Sequence, residues 1–461
     1  MASADIAIVG LGPVGATLAN LLGRLGLRVD VFERDRTAYA LPRAVHFDDE
    51  VMRVFQAVGL AEEVAAGTHV SPGTLFVDGG GRVMLDWSRR MEEGPQGWHE
   101  SYRFHQPTLE SVLRAGLERF PGVRVRLGHE VGDPEALDAR YVVGCDGARS
   151  GVRASIGGGS EDLDFHERWL VIDLLLKRPR PDLGDYTRQF CDPVRPATYV
   201  RTTGNRRRWE IRVEEGEDDD PGTVWRLLAP WIGPEDAEIE RAVIYTFHAT
   251  VARRWRRGRL FIAGDAAHQT PPFMGQGMCA GIRDAANLAW KLAAVLQQGA
   301  PEALLDSYAG ERIPHVRDYV ELAVRMGRLL NATGTEDMVS AAAARGESTD
   351  RMETIRPRLG PGLHWGESAL AGRPGPQPRL ADGRRLDDAV GPGPVLLLRE
   401  PAAVESCCIP AVAAGADWLD AHGLAAALLR PDRYVFGVAA TLDEAASLCE
   451  TYAAKTGRAS A

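Results

Sequence analysis

Apolar and polar positions near the start of the chain follow the order strand, helix, strand. Residues 5–9 form a short apolar run that ends at a glycine, as is typical of a buried strand. From Pro13 to about residue 25 leucines recur at helical spacing, and Gly26 then ends the pattern. A second strand-like run closes at Glu33. The pattern therefore predicts a β-α-β unit at the start of the chain.

Farther along, the period of the apolar positions changes from helical to alternating and back. Long stretches with helical spacing are residues 48–66, 107–119 and 282–297. Runs that predict strands are residues 73–86, 141–145, 169–176, 198–202, 209–213 and 259–263. Residues 370–395, rich in Gly, Pro and Asp, predict a linker before an α/β tail. The chain is therefore expected to be mixed α/β with a strand-rich middle.

Composition and charge narrow the classes of protein. The 461 residues are 45% hydrophobic with a formal net charge of -10, which favours a folded soluble chain and speaks against a nucleic-acid binder. The arginine clusters at 206–208 and 253–257 are accordingly expected to be solvated surface. No apolar stretch is long enough to span a membrane and no signal peptide is apparent, so a cytoplasmic location is expected.

The six cysteines are sparse. They show neither a Cys-x-x-Cys pair nor metal-ligand spacing, so reduced thiols and no metal site are expected. The adjacent Cys407 and Cys408 lack the geometry that activates a redox thiol. A packing or dimer-contact role is favoured for them, which leaves a homodimer open.

The first chemical motif is GLGPVG at residues 10–15, between the first strand and its helix. Glycines at this spacing allow a tight turn and let backbone N–H groups approach a pyrophosphate, whose charge the helix N-terminus stabilises. Glu33 ends the second strand, where an acid can bind the hydroxyls of a ribose. The motif predicts a dinucleotide but does not distinguish FAD from NAD.

Two further motifs lie far from the first. Residues 264–268 (GDAAH) follow a predicted strand and lead into residues 271–277 (PPFMGQG), where glycines allow a flat ring to approach the backbone at the positive end of a helix. Residues 145–150 (CDGARS), with Arg153, form the third motif. A dinucleotide motif paired with such a distant loop indicates FAD, because FAD must be held at both ends.

Together these stretches resemble a known family. The sequence is similar to the group A flavoprotein aromatic hydroxylases of the p-hydroxybenzoate hydroxylase type, and within them to the 3-(3-hydroxyphenyl)propionate hydroxylases. The matching stretches, within residues 5–325, are AIVGLGPVGATLANLLGRLG, PRAVHFDDEVMRVFQAVGL, VVGCDGARSGVR, FCDPVRP, LFIAGDAAHQTPPFMGQG and GIRDAANLAWKL. Residues 428–437 (LLRPDRYVFG) extend the resemblance to a thioredoxin-like tail.

The resemblance implies an α/β fold with a Rossmann-like FAD-binding domain, an inserted, mostly antiparallel β-sheet domain that binds substrate, and a small C-terminal thioredoxin-like domain. The FAD-binding domain would comprise residues 1–72, 100–164 and 250–330, and the substrate domain residues 73–99 and 165–249. Residues 331–375 would be a helical or linker region, and residues 376–461 the thioredoxin-like domain.

The resemblance also implies contacts to FAD. Gly10, Gly12 and Gly15 would bind the pyrophosphate, and Glu33 the adenosine ribose. The other implied cofactor contacts are Arg34, Arg43, Gln106, Asp146, Asp265, Pro272, Gly275 and Gly277. Asp146 with Arg153 also matches the motif linked to both FAD and NAD(P)H. One departure is Cys279, which stands where the family usually has Asn, a better helix cap.

The implied reaction is hydroxylation of a small phenolic or similar electron-rich aromatic substrate, in which NAD(P)H reduces the flavin and O2 forms a C4a-hydroperoxide. Removal of the phenolic proton would activate the ring. Candidate bases are His46, His105 and His268, of which His46 is favoured because it follows Arg43 closely; the alternative for His46 is a structural histidine hydrogen-bonded to backbone. Candidate substrate contacts in the strand-rich middle are Gln189, Tyr199, Arg201, Trp209 and Arg212.

Two other functions stay open. A Baeyer–Villiger or epoxidising flavin monooxygenase of natural-product biosynthesis would need no phenol deprotonation. A non-catalytic flavin-binding sensor would hold FAD but consume no NAD(P)H in the presence of an aromatic compound.

Overall fold

The computed structural model describes residues 3–38, 41–331, 354–404 and 407–458. Its strands are β1 Ala4–Val9, β2 Val29–Glu33, β3 His46–Asp48, β4 Thr68–Val70, β5 Gly73–Val77, β6 Val83–Ser88, β7 Ser101–Phe104, β8 Val123–Leu127, β9 Ala139–Gly144, β10 Ser160–Leu176, β11 Thr187–Phe190, β12 Ala197–Arg201, β13 Arg206–Arg212, β14 Ala237–Ala252, β15 Arg256–Arg257, β16 Leu260–Ile262, β17 His268–Gln269, β18 Val395–Leu398, β19 Ala411–Ala413, β20 Ala426–Leu429 and β21 Val435–Ala439. Its α-helices are α1 Pro13–Arg24, α2 Asp49–Ala57, α3 Ala61–Ala66, α4 Gln106–Ala115, α5 Gly151–Ile156, α6 Pro221–Leu228, α7 Gly277–Gln297, α8 Asp306–Leu330, α9 Leu386–Val390, α10 Ala416–Ala421 and α11 Leu442–Thr456.

The first sheet has the order β15-β16-β9-β1-β2-β8, and every pair except β15–β16 is parallel. The central strands β1 and β9 are almost continuously apolar because both faces of the sheet are covered. Since the strands run the same way, the loops after β1, β9 and β16 leave from one edge. In open α/β sheets this edge is where ligands bind.

The second sheet has eight strands in the order β17-β14-β10-β13-β12-β11-β5-β6, and only β11 and β5 are paired in parallel. One of its faces packs an apolar cluster that includes Leu170, Ile172 and Ile211. Side chains alternate between the faces along each strand. The opposite face, with Trp169 and Asp173, therefore turns toward the first sheet and its loops.

A third sheet, β3-β7-β4, joins the two larger sheets and was not predicted. Its strands have three or four residues, too few to give a recognisable alternation. The helix predicted over residues 48–66 is in fact two helices, because Gly59 adopts a φ of 72° between α2 and α3. This break lets the chain turn back and enter β4.

The tail forms a fourth sheet, β19-β18-β20-β21, with helices α9 to α11, which confirms the predicted small α/β unit. The expectation of reduced thiols was wrong for two cysteines: Cys407 and Cys449 form a disulfide with a Cα–Cα distance of 5.4 Å. They are 42 positions apart in the sequence, so only the tertiary fold brings them together. Most of the predicted helical or linker region, residues 332–353, lies outside the described residues.

The predicted surface cluster at 206–208 was also wrong. Arg207 and Arg208 are buried, because β13 is an interior strand of the second sheet and Arg208 binds Asp173 on β10. Residues 253–257 are mostly exposed, apart from the buried Trp255. Among the described helices, none has both the length and the apolar character needed to cross a membrane.

Candidate active site

The glycine loop after β1 has two crowded positions and one open one. Gly10 has a φ of 100°, and a Cβ on it would lie 2.4 Å from the Cys145 carbonyl oxygen. A Cβ on Gly15 would lie 2.0 Å from the Gly10 oxygen. Around Gly12 nothing lies within 4 Å. The loop is therefore packed tightly against its own sheet while Gly12 borders open space, where a phosphate can approach the backbone.

Glu33 supports this loop from the end of β2. Its Oε2 accepts a hydrogen bond from the Leu11 N–H at 2.7 Å, and its Oε1 accepts one from the Asp35 N–H at 3.0 Å. Arg34 is exposed and approaches Asp35 at 3.6 Å. The carboxylate is thus fixed beside the glycine loop, where a ribose would lie if the loop holds the pyrophosphate.

Gln106, at the start of α4, positions the segment that carries Arg43. Its Oε1 accepts a hydrogen bond from the Arg43 N–H at 3.0 Å, and its Nε2 donates to Glu110 at 2.8 Å. Arg114 in turn binds Glu110 at 3.4 Å and the Leu11 carbonyl at 3.0 Å. A continuous set of hydrogen bonds therefore fixes the Arg43 segment relative to the glycine loop.

The loops after β9 and β16 are bridged by Arg153. Asp146 lies beside the start of α5, where it accepts hydrogen bonds from the hydroxyl of the N-cap Ser150 at 2.6 Å and from the Val152 N–H at 3.2 Å. Arg153, one turn into that helix, donates to the Ala266 carbonyl at 2.9 Å. Asp146 and Arg153 therefore hold the two loops together, and this structural role accounts for the contacts they make.

Asp265 lies at the open edge of the same sheet. Its side chain is exposed, and its carboxylate has no hydrogen-bonding partner among the described residues. Its chain neighbours Gly264 and Ala266 are both buried, so the Asp265 side chain is the exposed point of this turn. An acid presented in this way can accept hydrogen bonds from the hydroxyls of a sugar alcohol.

The loop at residues 272–277, here named the ring loop, leads into α7. Gly275 has a φ of 64°, and a Cβ on it would lie 2.8 Å from Nδ1 of His46. Pro272 is partly exposed, and Gly277 is the first residue of α7. Only Thr270 comes within 4.0 Å of a Cβ placed on Gly277. The ring loop therefore presents bare backbone at a helix N-terminus, which suits a flat ring that becomes negatively charged.

Cys279 lies in the first turn of α7 and is buried. Its Sγ is 3.5 Å from the Gly275 carbonyl oxygen and 3.8 Å from that of His46. Burial raises the pKa of the thiol well above its ordinary value. The thiol therefore stays protonated and packs against the ring loop, as an unreactive side chain.

His46 on β3 is a buried, neutral imidazole. Its Nδ1 lies 3.3 Å from the Gly275 carbonyl oxygen, which can only accept, so Nδ1 carries the hydrogen and Nε2 is an acceptor. Nε2 has no hydrogen-bonding partner among the described residues. Burial, assisted by the charge of Arg103, lowers the pKa of His46 to about 3. His46 can therefore accept a hydrogen bond but is a weak base.

The other two candidate bases have structural contacts. His268 is buried beside Trp255, and its Nε2 lies 2.8 Å from Oδ2 of Asp284, which also accepts from the Gly264 N–H at 3.0 Å. His105 contacts the Thr108 hydroxyl at 3.0 Å at the start of α4. His268 thus secures the loop that carries Asp265 from behind.

The structure separates the predicted substrate contacts by the face of the second sheet. Gln189 faces the ring loop, and its Nε2 donates to the Phe273 carbonyl at 3.4 Å. Tyr199 and Trp209 lie on the opposite face, with ring centroids 4.9 Å apart inside the apolar cluster. Because alternate residues of a strand point to opposite sides, Tyr199 and Trp209 face away from the ring loop, and a contact between either of them and a substrate stays a prediction.

The two predicted arginines lie at strand ends. Arg201 approaches Nε2 of His69 on β4 at 3.0 Å and also binds Asp185. Arg212 binds the side chain of Asn331 at 2.5 Å and nearby backbone carbonyls. Arg201 therefore lies at the junction of the second and third sheets, while Arg212 ties β13 to the end of α8.

Two buried groups near the ring loop were missed by the sequence reasoning. Arg103 on β7 lies directly opposite His46 on β3, and Glu210 on β13 lies opposite Thr198, whose hydroxyl binds Gln189 at 2.5 Å. The alternation in RRRWEIR, residues 206–212, could have placed Glu210 opposite the apolar face that holds Trp209. The short strand SYRF, residues 101–104, gave no such signal.

Comparison with known proteins gives one family and several relatives. The family described as FAD binding domain matches residues 3–323. A probable NADH-specific resorcinol 4-hydroxylase of Rhodococcus jostii (strain RHA1) is 37% identical, over 97% of this chain and 94% of that protein. A 3-(3-hydroxy-phenyl)propionate/3-hydroxycinnamic acid hydroxylase of Mycobacterium sp. (strain JLS) is 40% identical, over 71% of this chain and 61% of its own length.

Solved structures share the fold at lower identity. The flavin-dependent monooxygenase PieE, in complex with FAD and substrate, has a TM-score of 0.80 at 21% identity and covers 99% of both chains. Aklavinone-11 hydroxylase, with FAD and aklavinone, has a TM-score of 0.77 at 24% identity, over 98% of this chain and 99% of that one. These likenesses confirm the predicted fold class of FAD-binding domain, inserted sheet and small α/β tail.

Proposed function

Because the chain belongs to the FAD-binding-domain family matched over residues 3–323, we propose that it is an FAD-dependent monooxygenase that hydroxylates a small phenol with NADH and O2. The observation that carries the proposal is the common edge of the first sheet. Gly12, which borders open space, follows β1 at that edge, and the unpartnered carboxylate of Asp265 follows β16. Both strands pair in parallel with β9, and the ring loop comes shortly after Asp265 along the chain. Such an edge can hold both ends of one extended dinucleotide.

The residues present fit FAD. Gly12 leaves room for the pyrophosphate, Glu33 lies where an adenosine ribose binds, and Asp265 offers an acceptor to the ribityl hydroxyls. When bound, FAD would supply the redox and oxygen-activating chemistry that no side chain can provide. The chain itself must then hold the substrate ring beside the ring loop and exclude water.

Aromatic residues exclude water on one side of the ring loop. Phe273 packs against Trp169 and Phe165 with ring centroids 5.2 Å and 5.7 Å apart. On another side, Nε2 of His46 can accept a hydrogen bond from a substrate hydroxyl, and Gln189 fixes the Phe273 carbonyl. These contacts support a substrate cavity between the second and third sheets, because both residues meet the ring loop from those sheets.

The relatives suggest a substrate class. Resorcinol and 3-(3-hydroxyphenyl)propionate, named for two of them, are both phenols substituted at the meta position. We therefore infer that this chain acts on a meta-substituted phenol.

The test is turnover by the FAD-loaded protein. NADH oxidation is measured with resorcinol, 3-(3-hydroxyphenyl)propionate and their para isomers, and isotopically labelled O2 is followed into the product by mass spectrometry. We expect a meta-substituted phenol to stimulate NADH oxidation and to gain one labelled oxygen. A yellow protein that consumes no NADH with any phenol would indicate a flavin-binding sensor. Labelled oxygen inserted into a carbon–carbon bond would indicate a Baeyer–Villiger enzyme, and labelled oxygen added across a double bond would indicate an epoxidising enzyme.

A matched pair of variants tests the FAD site. Asp265→Ala removes the proposed ribityl acceptor and should weaken FAD affinity by roughly tenfold, the value of one hydrogen bond to a charged group. Asp219→Ala removes an exposed carboxylate from the acidic loop between β13 and α6 and should leave FAD affinity unchanged. Equal affinities of the two variants would count against the proposed role of Asp265.

A further inference from the structure

Arg103 occupies the centre of the third sheet. It pairs with His46 of β3 on one side and with His69 of β4 on the other. Directly opposed residues of antiparallel strands project from the same face, so the three side chains form a row. Arg103 is 7% exposed, and its Nη2 donates to the Thr187 hydroxyl at 2.6 Å. Its Nε and Nη1 form no hydrogen bond with the described residues.

With the Thr187 hydroxyl as its one hydrogen-bond acceptor among the described residues, Arg103 differs from the other buried arginines. Those that pair with a buried carboxylate are Arg53, Arg208, Arg241, Arg283, Arg312, Arg430 and Arg433. Arg207 donates instead to two backbone carbonyls. A buried guanidinium with a single neutral acceptor is costly. A partner from outside the chain is therefore expected at Arg103.

The groups that act on Arg103 make its surroundings cationic on balance. Arg89 lies near it, with its guanidinium 4.1 Å above the Trp87 ring, and Arg201 is bonded to the neighbouring His69. Glu210 is the carboxylate of this set, and it is already 3.7 Å from Arg208. The neutral groups are the His46 and His69 rings and the thiol of Cys279, whose pKa is raised by burial. Burial lowers the pKa of Arg103 only to about 10, so it stays charged at neutral pH.

Arg103 lies close to the ring loop, where the reacting part of a bound substrate would be. Its strand neighbour His46 touches Gly275 of the ring loop, and Cys279 lies in the first turn of the following helix. Thr187 begins β11, the strand whose Gln189 binds the Phe273 carbonyl. The guanidinium therefore lies between the ring loop and the inward face of the second sheet, inside the proposed substrate cavity.

We propose that Arg103 binds the substrate's phenolic oxygen in its ionised form, an inference that rests on the proposed function. On binding, the O–H bond of the phenol breaks, the electron pair stays on oxygen opposite the guanidinium, and the proton is released to solvent. Before ionisation, the phenol O–H donates a hydrogen bond to the neutral Nε2 of His46. Ionisation makes the ring more electron-rich, as attack on an electrophilic oxygen requires.

The test measures the ionisation of a bound phenol without turnover. Oxidised, FAD-loaded protein is titrated with 4-nitrophenol, whose ionised form is coloured, over a range of pH. In the unsubstituted protein the pKa of the bound probe should fall by roughly one unit or more, because a charge-assisted bond is worth about a tenfold preference or more. Arg103→Lys should keep part of this shift and Arg103→Met should abolish it, while the exposed neighbour Arg90→Met should keep all of it.

Each result decides a separate point. An unshifted probe pKa in the unsubstituted protein, or an equal shift in Arg103→Met, would overturn the inference while the proposed function stood on its turnover test. Benzoate, which has no hydroxyl, serves as a second probe. If Arg103→Met lowers the affinity for benzoate as much as the affinity for 4-nitrophenol, Arg103 binds a carboxylate and the inference also fails. FAD content checks that each variant is folded, and loss of FAD only in Arg103→Met leaves Arg103→Lys to decide.

Discussion

Two groups of ionisable residues lie beside the ring loop, and they differ in how fully the arginine in each is paired. The closed network, behind the loop, comprises Asp48, Glu50, Gln276, Arg283 and Tyr434. The open row, on the substrate side, comprises His46, Arg103 and His69. Asp48 and His46 are only two residues apart on β3. The short strand β3 therefore contributes one residue to the fully paired group and one to the group whose arginine lacks a counter-charge.

Every charge of the closed network has a partner. Arg283 on α7 donates to Asp48 at 2.6 Å, to Glu50 at 2.7 Å and to the side-chain Oε1 of Gln276 at 3.1 Å. Tyr434, from the tail, donates to Glu50 at 2.5 Å. Gln276 also donates to Asp48 at 3.1 Å. Although burial opposes ionisation, Arg283 lowers the pKa of Asp48 to about 2.

The comparison teaches how to distinguish a structural buried charge from one that binds a ligand. Burial by itself does not discriminate, because Arg103 and Arg283 are both almost inaccessible. What discriminates is whether the chain supplies the counter-charge. A charge that is paired internally fixes the ring loop and the tail, whereas one left unpaired raises the energy of the ligand-free protein and lowers it when an anion binds.

The largest expected effect comes from breaking the closed network. Arg283→Met leaves two buried carboxylates without their cation, so we expect a loss of about 3–5 kcal/mol of unfolding free energy. FAD affinity should fall as well, because Gln276 and the start of α7 lose an anchor. Urea unfolding and FAD titration measure the two effects. A loss below about 1 kcal/mol would mean that the network is not closed in the folded protein.

The next effect is on pH dependence, through the open row. The pKa of His46 is about 3 in the folded chain and ordinarily about 6.5, so the stability from keeping it neutral is present above pH 6.5 and lost as pH falls toward 3. His46→Asn should therefore flatten the loss of unfolding free energy between about pH 6 and pH 4, by about 2–3 kcal/mol in total. His422→Asn, at an exposed site, is the control. Parallel pH curves for the His46 variant and the unsubstituted protein would contradict the lowered pKa of His46.

The same contrast shows how much the sequence could predict. The glycine loop and the GDAAH loop are local in sequence, and each follows a recognisable strand, so their placement at one sheet edge was predictable. His46 was singled out because it lies close to Arg43 along the chain. Arg103 was not, because its row depends on pairing among three strands that are far apart in sequence and too short for periodicity. Tyr199 and Trp209 were named beside Gln189 as candidate substrate contacts because the sequence pattern alone had not been used to assign the face of each strand, and the structure places them on the opposite face from Gln189.

A smaller effect is expected where the tail joins the closed network. Tyr434→Phe removes one hydrogen bond to Glu50, which keeps its bond to Arg283, so the expected loss is about 1–2 kcal/mol of unfolding free energy. Tyr452→Phe is the matched control in the same tail, because its hydroxyl has no hydrogen-bonding partner among the described residues. Equal losses in chemical unfolding would show that the Tyr434 hydroxyl contributes nothing specific to the junction.

The smallest effect on stability is expected at Arg103. The sign of the change in unfolding free energy distinguishes the open row from the closed network. Arg103→Met exchanges an unpaired buried cation for an apolar chain of similar length and gives up one bond to the Thr187 hydroxyl. Removal of the desolvation cost should offset that loss, so the unfolding free energy should stay the same or rise by up to about 1 kcal/mol. The measurement is urea unfolding of the ligand-free variant beside Arg283→Met. Were Arg103→Met to cost as much as Arg283→Met, the chain itself would be supplying a counter-charge to Arg103, and the open row would be a second structural network rather than a binding site.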